Sequence, residues 1–184
     1  HDTVPPTTTI TDAPAAIDNS TSVSFEFTSN ESGATFECAL DGGAYATCSS
    51  PTVYDGLADG AHSFAVRAID LAGNEDEIPA THGWTIDTST PDTVIDSGPT
   101  GTVTSTTATF TFSSPDAGVG ATFECSLDGA AFATCTSPRT YTSLSETTHT
   151  FAVRVRDSGG NVDPTPADVT WSIDATAPTT TITA

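Results

Sequence analysis

Shifted by 87 residues, the sequence falls on itself. ATFECALDGGAYATCSSP, from Ala34, returns as ATFECSLDGAAFATCTSP from Ala121, and HSFAVRAIDLAGNEDEIPA, from His62, returns as HTFAVRVRDSGGNVDPTPA from His149. Trp84 falls on Trp171, Asp87 on Asp174 and Pro91 on Pro178. Identity at this density means internal duplication, and it restricts the fold to one that a single repeat can complete. The period is 85 residues from Pro6 to Pro91 and 87 from Pro91 to Pro178, and PTTTIT occurs both at Pro6 and at Pro178. Residues 1–5 therefore read as the end of a preceding repeat, 6–90 as repeat 1, 91–177 as repeat 2 and 178–184 as the first strand of a following repeat. Such a chain is expected to be an in-phase length of a longer polymer.

Each repeat reads as all-β. VSFEF, TFECAL, HSFAVRAI and THGWTI alternate apolar and polar residues at period two, and no stretch has helical period. Gly, Asp, Asn and Pro clusters part them at about the 8–12-residue spacing of β-sandwiches. In the first copy the pattern predicts strands over 6–11, 22–28, 34–40, 44–48, 52–55, 62–70 and 80–87. The fold expected is two tandem immunoglobulin-like sandwiches with a trailing first strand.

Charge narrows the partners. The basic side chains are Arg67, Arg139, Arg154 and Arg156, with no Lys, against 24 carboxylates, for a formal charge of −20. That field repels nucleic acid and anionic membranes. No 18-residue apolar run and no signal-peptide pattern is present, so no membrane insertion is expected in this segment. A hydrated acidic surface fits an extracellular or saline setting.

Cys38 and Cys48 lie ten residues apart, as do Cys125 and Cys135, with Asp41-Gly42 and Asp128-Gly129 between them. Asp-Gly is a favoured hairpin turn, which would set the two cysteines opposite one another on neighbouring strands. A disulfide within each copy follows, and it points to an oxidising compartment. Zinc would need further Cys or His at ligand spacing, and the repeats lack them.

The combined pattern FEC-x-LDG, ATC-x-SP, L-x-x-x-x-H-[ST]-FAVR, GN-x-D-x-x-PA and W-x-ID-x-x-x-P resembles bacterial Ig-like (fibronectin III-like) tandem repeat domains of secreted and cell-surface proteins. The resemblance covers essentially the whole chain. It implies a stalk, adhesin or fibre module, and repeats of this kind also accompany enzymes.

The remaining conspicuous residues have structural readings. Trp84 and Trp171 share an alternating face with Ile86 and Ile173 and are expected in the core rather than on a sugar-binding surface. His62 and His149 stand where sandwich folds place a tyrosine corner, a ring that packs and bonds to nearby backbone. Arg67 and Arg154 project outward, toward carboxylates on neighbouring strands. Ser, His and Asp fall into no nucleophile elbow or triad, and no phosphate loop is present, so no catalytic residue is assigned. Asn19 and Asn30 head N-glycosylation sequons that the second copy lacks. Asp70, Asn74 and Asp76 form D-x-x-x-N-x-D, repeated as Asp157, Asn161 and Asp163. These are either turn residues capping their own backbone or, joined by Asp87 and Asp174, oxygen ligands for Ca²⁺ that would stiffen the junction. No other cofactor is implied.

The function expected is a non-enzymatic structural repeat module, its partners being further copies of itself, with target binding left to another part of the parent protein. A pilin-like subunit that lends its terminal strand and a carbohydrate-binding or accessory module of a secreted enzyme are the alternatives.

Overall fold

A computed structural model describes residues 2–182. The chain divides into two units, one within His1–Ser89 and one within Thr90–Ala184. Unit 1 contains β1 (Thr8–Asp12), β2 (Ile17–Asp18), β3 (Val23–Ser29), β4 (Thr35–Leu40), β5 (Ala46–Cys48), β6 (Thr52–Tyr54), β7 (Gly60–Ile69) and β8 (Ala80–Ile86). These form a three-stranded sheet, β1-β3-β6, and a five-stranded sheet, β2-β8-β7-β4-β5. Unit 2 repeats the plan with β9 (Val94–Ser97), β10 (Gly101–Val103), β11 (Ala108–Ser113), β12 (Thr122–Leu127), β13 (Ala133–Cys135), β14 (Arg139–Tyr141), β15 (Thr148–Arg156) and β16 (Ala167–Ile173). Its sheets are β14-β11-β9 and β10-β16-β15-β12-β13.

The seven expected strands are present, and an eighth appears between the first two. β1 pairs antiparallel with β3, with a bulge between Ile10 and Asp12. The chain then crosses to the other sheet, where β2 pairs parallel with β8. Pro14 lies at the crossing, and a residue without an N–H cannot extend the ladder of β1. Pro99 stands between β9 and β10, which pairs parallel with β16. Two- and three-residue strands carry no readable alternation, and so β2 and β10 escaped the periodicity.

Strand alternation aims one face of each sheet inward. Val23, Phe25 and Phe27 from β3 meet Phe64 and Val66 from β7 and Trp84 and Ile86 from β8 in a buried cluster. Phe25 and Phe64 stack with ring centroids 4.1 Å apart, and Trp84 sits edge-on to Phe25 at 5.2 Å. Unit 2 rebuilds the stack as Phe110 on Phe151 at 4.0 Å, with Trp171 edge-on at 5.2 Å. Both tryptophans are core residues.

Each unit owns its first strand. Residues 178–182 are exposed and lie in no strand, while Thr183 and Ala184 of the expected trailing strand, like His1 of the opening segment, lie outside the described residues. No helix among the described residues is long and apolar enough to cross a membrane.

Candidate functional site

Three small constructions recur in both units: a stapled hairpin, a guanidinium–aromatic pair on the outer face, and a polar cluster at each end of the long strand β7 or β15.

Cys38 is bonded to Cys48 and Cys125 to Cys135. The partners are offset rather than directly opposed. Cys38 faces Ala46 across the ladder while Cys48 faces Phe36, so the staple runs diagonally between β4 and β5. Asp41 and Gly42 both have positive φ, and the Gly43 N–H closes the turn on the Leu40 carbonyl at 2.9 Å. A two-residue Asp41-Gly42 loop would set Cys38 opposite Tyr45; residues 41–45 all lie outside the strands, and the observed register is one residue on, with Cys38 opposite Ala46.

On the outer face Arg67 donates to Glu37 of β4 at 2.6 Å and pairs with Glu75 at 2.6 Å. Its guanidinium lies 4.5 Å from the Tyr45 ring centre. Arg154 pairs with Glu124 at 2.7 Å and covers Phe132 at 4.3 Å. These arginines are half-buried, not free in solvent, and they occupy the aromatic faces that a sugar ring would need.

Asp70 follows the last residue of β7. Its Oδ1 accepts the N–H groups of Ala72 and Asn74 at 2.8 Å each, and its Oδ2 accepts Asn74 Nδ2 at 2.7 Å. The Asn74 amide bond, the largest influence, holds the Asp70 carboxyl below its usual range. Asp157 receives the Asn161 N–H at 2.8 Å and Asn161 Nδ2 at 2.9 Å. Asp76 accepts the N–H groups of Thr8 at 2.7 Å and Ile78 at 3.0 Å, and so anchors β1. Asp163 accepts the Thr165 N–H at 2.8 Å. This is the geometry of residues capping their own turns.

Asp87 and Asp174 do not join those residues within their own units. β7 and β8 are antiparallel, with Gly60 opposite Ile86 and Val66 opposite Ala80. Asp70 follows the last residue of β7 and Asp87 the last residue of β8, so the two stand at opposite ends of the sheet. Asp174 is separated from Asp157 in the same way by β15 and β16. Sequence reasoning missed a different group: Asp2, Glu31 and Asp70 each bring a carboxylate oxygen within 4.8 Å of the others. The repeat alignment of Asp2 with Asp87 and Asp174 was the available signal, but the approach of Glu31 is purely tertiary. Three carboxylates so close together are donor chemistry suited to a hard cation such as Ca²⁺. Replacing Asp70 with Asn should abolish any chelator-sensitive change in the melting of unit 1, and a change that persists would place the cation elsewhere. Asn19 and Asn30 are both exposed, and Asn30 Oδ1 accepts the Thr7 N–H at 2.7 Å.

At the other end of β7, His62 Nδ1 lies 2.8 Å from Asp41 Oδ2 and Nε2 lies 2.8 Å from the Ala58 carbonyl. The backbone bond four residues upstream is the tyrosine-corner contact. The Asp41 partner, 21 residues away, is tertiary and was not foreseen.

No protein-family model matches the chain, and no curated protein matches it. Among solved structures, it is similar over 97% of its length to fibronectin(III)-like modules of Clostridium thermocellum CbhA, with 17% identity, all of that chain covered and a TM-score of 0.58. Looser likenesses are to a 1.5-MDa bacterial ice-binding adhesin (12% identity, 96% of this chain and 67% of that one, TM-score 0.47) and to chicken CNTN1 FN1-FN3 domains (12%, 91% and 68%, 0.48). Strand order, the two-sheet cores and the likeness to CbhA agree: the chain is a tandem of two fibronectin III-like, immunoglobulin-like β-sandwiches.

Proposed function

We propose that this chain is a non-enzymatic structural repeat module of an extracellular fibre, stalk or adhesin. The observation that carries the reading is that one sequence template builds the same framework twice. Aromatic stack, diagonal disulfide, outer arginine pair and end clusters all recur, whereas the sequons do not. What duplication has retained is the scaffold, as a polymer of spacers requires. Two disulfides favour an oxidising compartment, and a charge of −20 favours solubility at an exposed surface.

The accessory carbohydrate-binding alternative loses support because both Trp rings are buried and Tyr45 and Phe132 lie under guanidinium groups. The strand-lending alternative needs a unit with a vacant first-strand position, and β1 and β9 fill it in each. Antibodies raised against this chain should label intact, unpermeabilised source cells. A reducing, denaturing immunoblot should show a band far above 18.7 kDa. Labelling only after permeabilisation would overturn the extracellular reading, and a band at 18.7 kDa would favour the lent strand.

A further inference from the structure

Both nitrogens of His62 face acceptors, the Asp41 carboxylate and the Ala58 carbonyl. Neither partner can donate. A neutral imidazole has one N–H and would turn its second lone pair against an oxygen, so the protonated ring alone satisfies both contacts. Unit 2 repeats the arrangement: His149 Nδ1 is 2.8 Å from Asp128 Oδ2 and Nε2 is 3.0 Å from the Ser145 carbonyl. Ser145 Oγ at 3.4 Å and Thr147 Oγ1 at 3.5 Å complete its surroundings. The same carboxylates hold the next residue on the long strand, Asp41 accepting the Ser63 N–H at 2.8 Å and Asp128 the Thr150 N–H at 2.9 Å. Each ring also lies over an indole, His62 at 5.4 Å from Trp84 and His149 at 5.5 Å from Trp171, where a cation is favoured over a neutral ring.

We propose that His62 and His149 are proton-operated latches, each tying the turn after β4 or β12 and the segment before β7 or β15 to the indole beneath, and releasing that end of its sandwich when the proton leaves. The Ala58 carbonyl first, then Asp41, raise the His62 pKa above its ordinary value; Asp128 first, then the Ser145 carbonyl, raise that of His149. The other titratable groups nearby are otherwise engaged. Asp59, beside Ala58, accepts from Thr88 at 2.8 Å, and Glu146 accepts from Thr176 at 2.8 Å. From β8, His82 stacks 6.2 Å from Trp84 while its Nε2 meets the Pro14 carbonyl at 3.0 Å. Residue 169, at its place in the second repeat, is Val.

The sign follows. A histidine whose folded pKa is raised adds stability that is complete below about pH 6.5 and is lost as pH rises through the folded pKa. Burial, the largest single influence on Asp41 and Asp128, raises their pKa. The bonds from Ser63 and His62, or Thr150 and His149, outweigh it and leave both lowered. Their contribution is therefore complete above about pH 4 and fails in stronger acid. The latches should hold best from about pH 4 to 6.5 and open on the alkaline side.

The chain has two tryptophans, and each lies against one of these rings. A stacked imidazolium quenches indole emission by accepting an electron, and a neutral imidazole does so far less. Tryptophan emission of the whole chain, in a His82→Val background, should rise with pH at a midpoint above 6.5. His62→Gln and His149→Gln should each remove roughly half of the amplitude. Across the same range, the melting-temperature gap between the unlatched double variant and the parent should be widest near pH 6 and close by about pH 9. A midpoint at or below 6.5, an unchanged rise in the double variant, or a pH-independent gap would overturn the proposal. The titration of the His82→Val chain, with both latch histidines intact, reads the midpoint even where the double variant does not fold.

Discussion

Phe25→Ala should sharply lower the melting temperature of unit 1 while leaving the transition of unit 2 in place. Phe25 is fully buried and touches the core from both sides, stacked on Phe64 and edge-on to Trp84 and Tyr54. Truncating such a ring costs about 3–5 kcal/mol. A unit of this size has a total stability of only about 4–13 kcal/mol at typical per-residue values, so the loss is a large share of the whole. Phe110→Ala should do the converse, since Phe110 holds the same place on Phe151. Calorimetry of both variants, with tryptophan fluorescence to identify which unit melts, checks the pair. A single transition that moves as one in both variants would show that the units do not fold on separate cores.

The second large effect comes from the staples. Closing a ten-residue loop contributes about 2.7 kcal/mol in the chain-entropy account, and each unit has one such loop. With a urea dependence of roughly 1–3 kcal/mol per molar for a small domain, reduction should lower each unit's urea midpoint by roughly 1–2.5 M. Non-reducing peptide mapping should find Cys38 with Cys48 and Cys125 with Cys135. Free thiols, links between the units, or urea curves indifferent to reductant would contradict this.

What could be read in advance followed physical range. Period-two alternation over six to ten residues, as in HSFAVRAI and THGWTI, identifies a strand, and in the second of these it placed Trp84 and Ile86 on the buried face. Bonds that span two to four residues were also within reach, such as Asp70 with Asn74 or His62 with the Ala58 carbonyl. The tertiary partners were not. Asp41 reaches His62 only because β4 and β7 lie side by side, and Glu31 reaches Asp70 only because two loops share one end of the sandwich. The distance of Asp87 from Asp70 within unit 1 has the same origin: the end of a sheet at which a residue lies depends on strand direction, which composition and spacing do not encode. The diagonal offset of the cysteines follows from where the hairpin turns: cysteines ten residues apart face each other directly only about residue 43, and the observed pairing turns about residue 42.

Two separately folded, equally stapled sandwiches in one chain should unfold one at a time when the chain is pulled end to end in a single-molecule force experiment. Two unfolding steps of nearly equal size are predicted. In reductant each step should lengthen by about 30 Å, the reach of ten extended residues less the 5.8 Å Cα separation at the staple. A single step, or two steps whose lengths do not respond to reductant, would contradict the account.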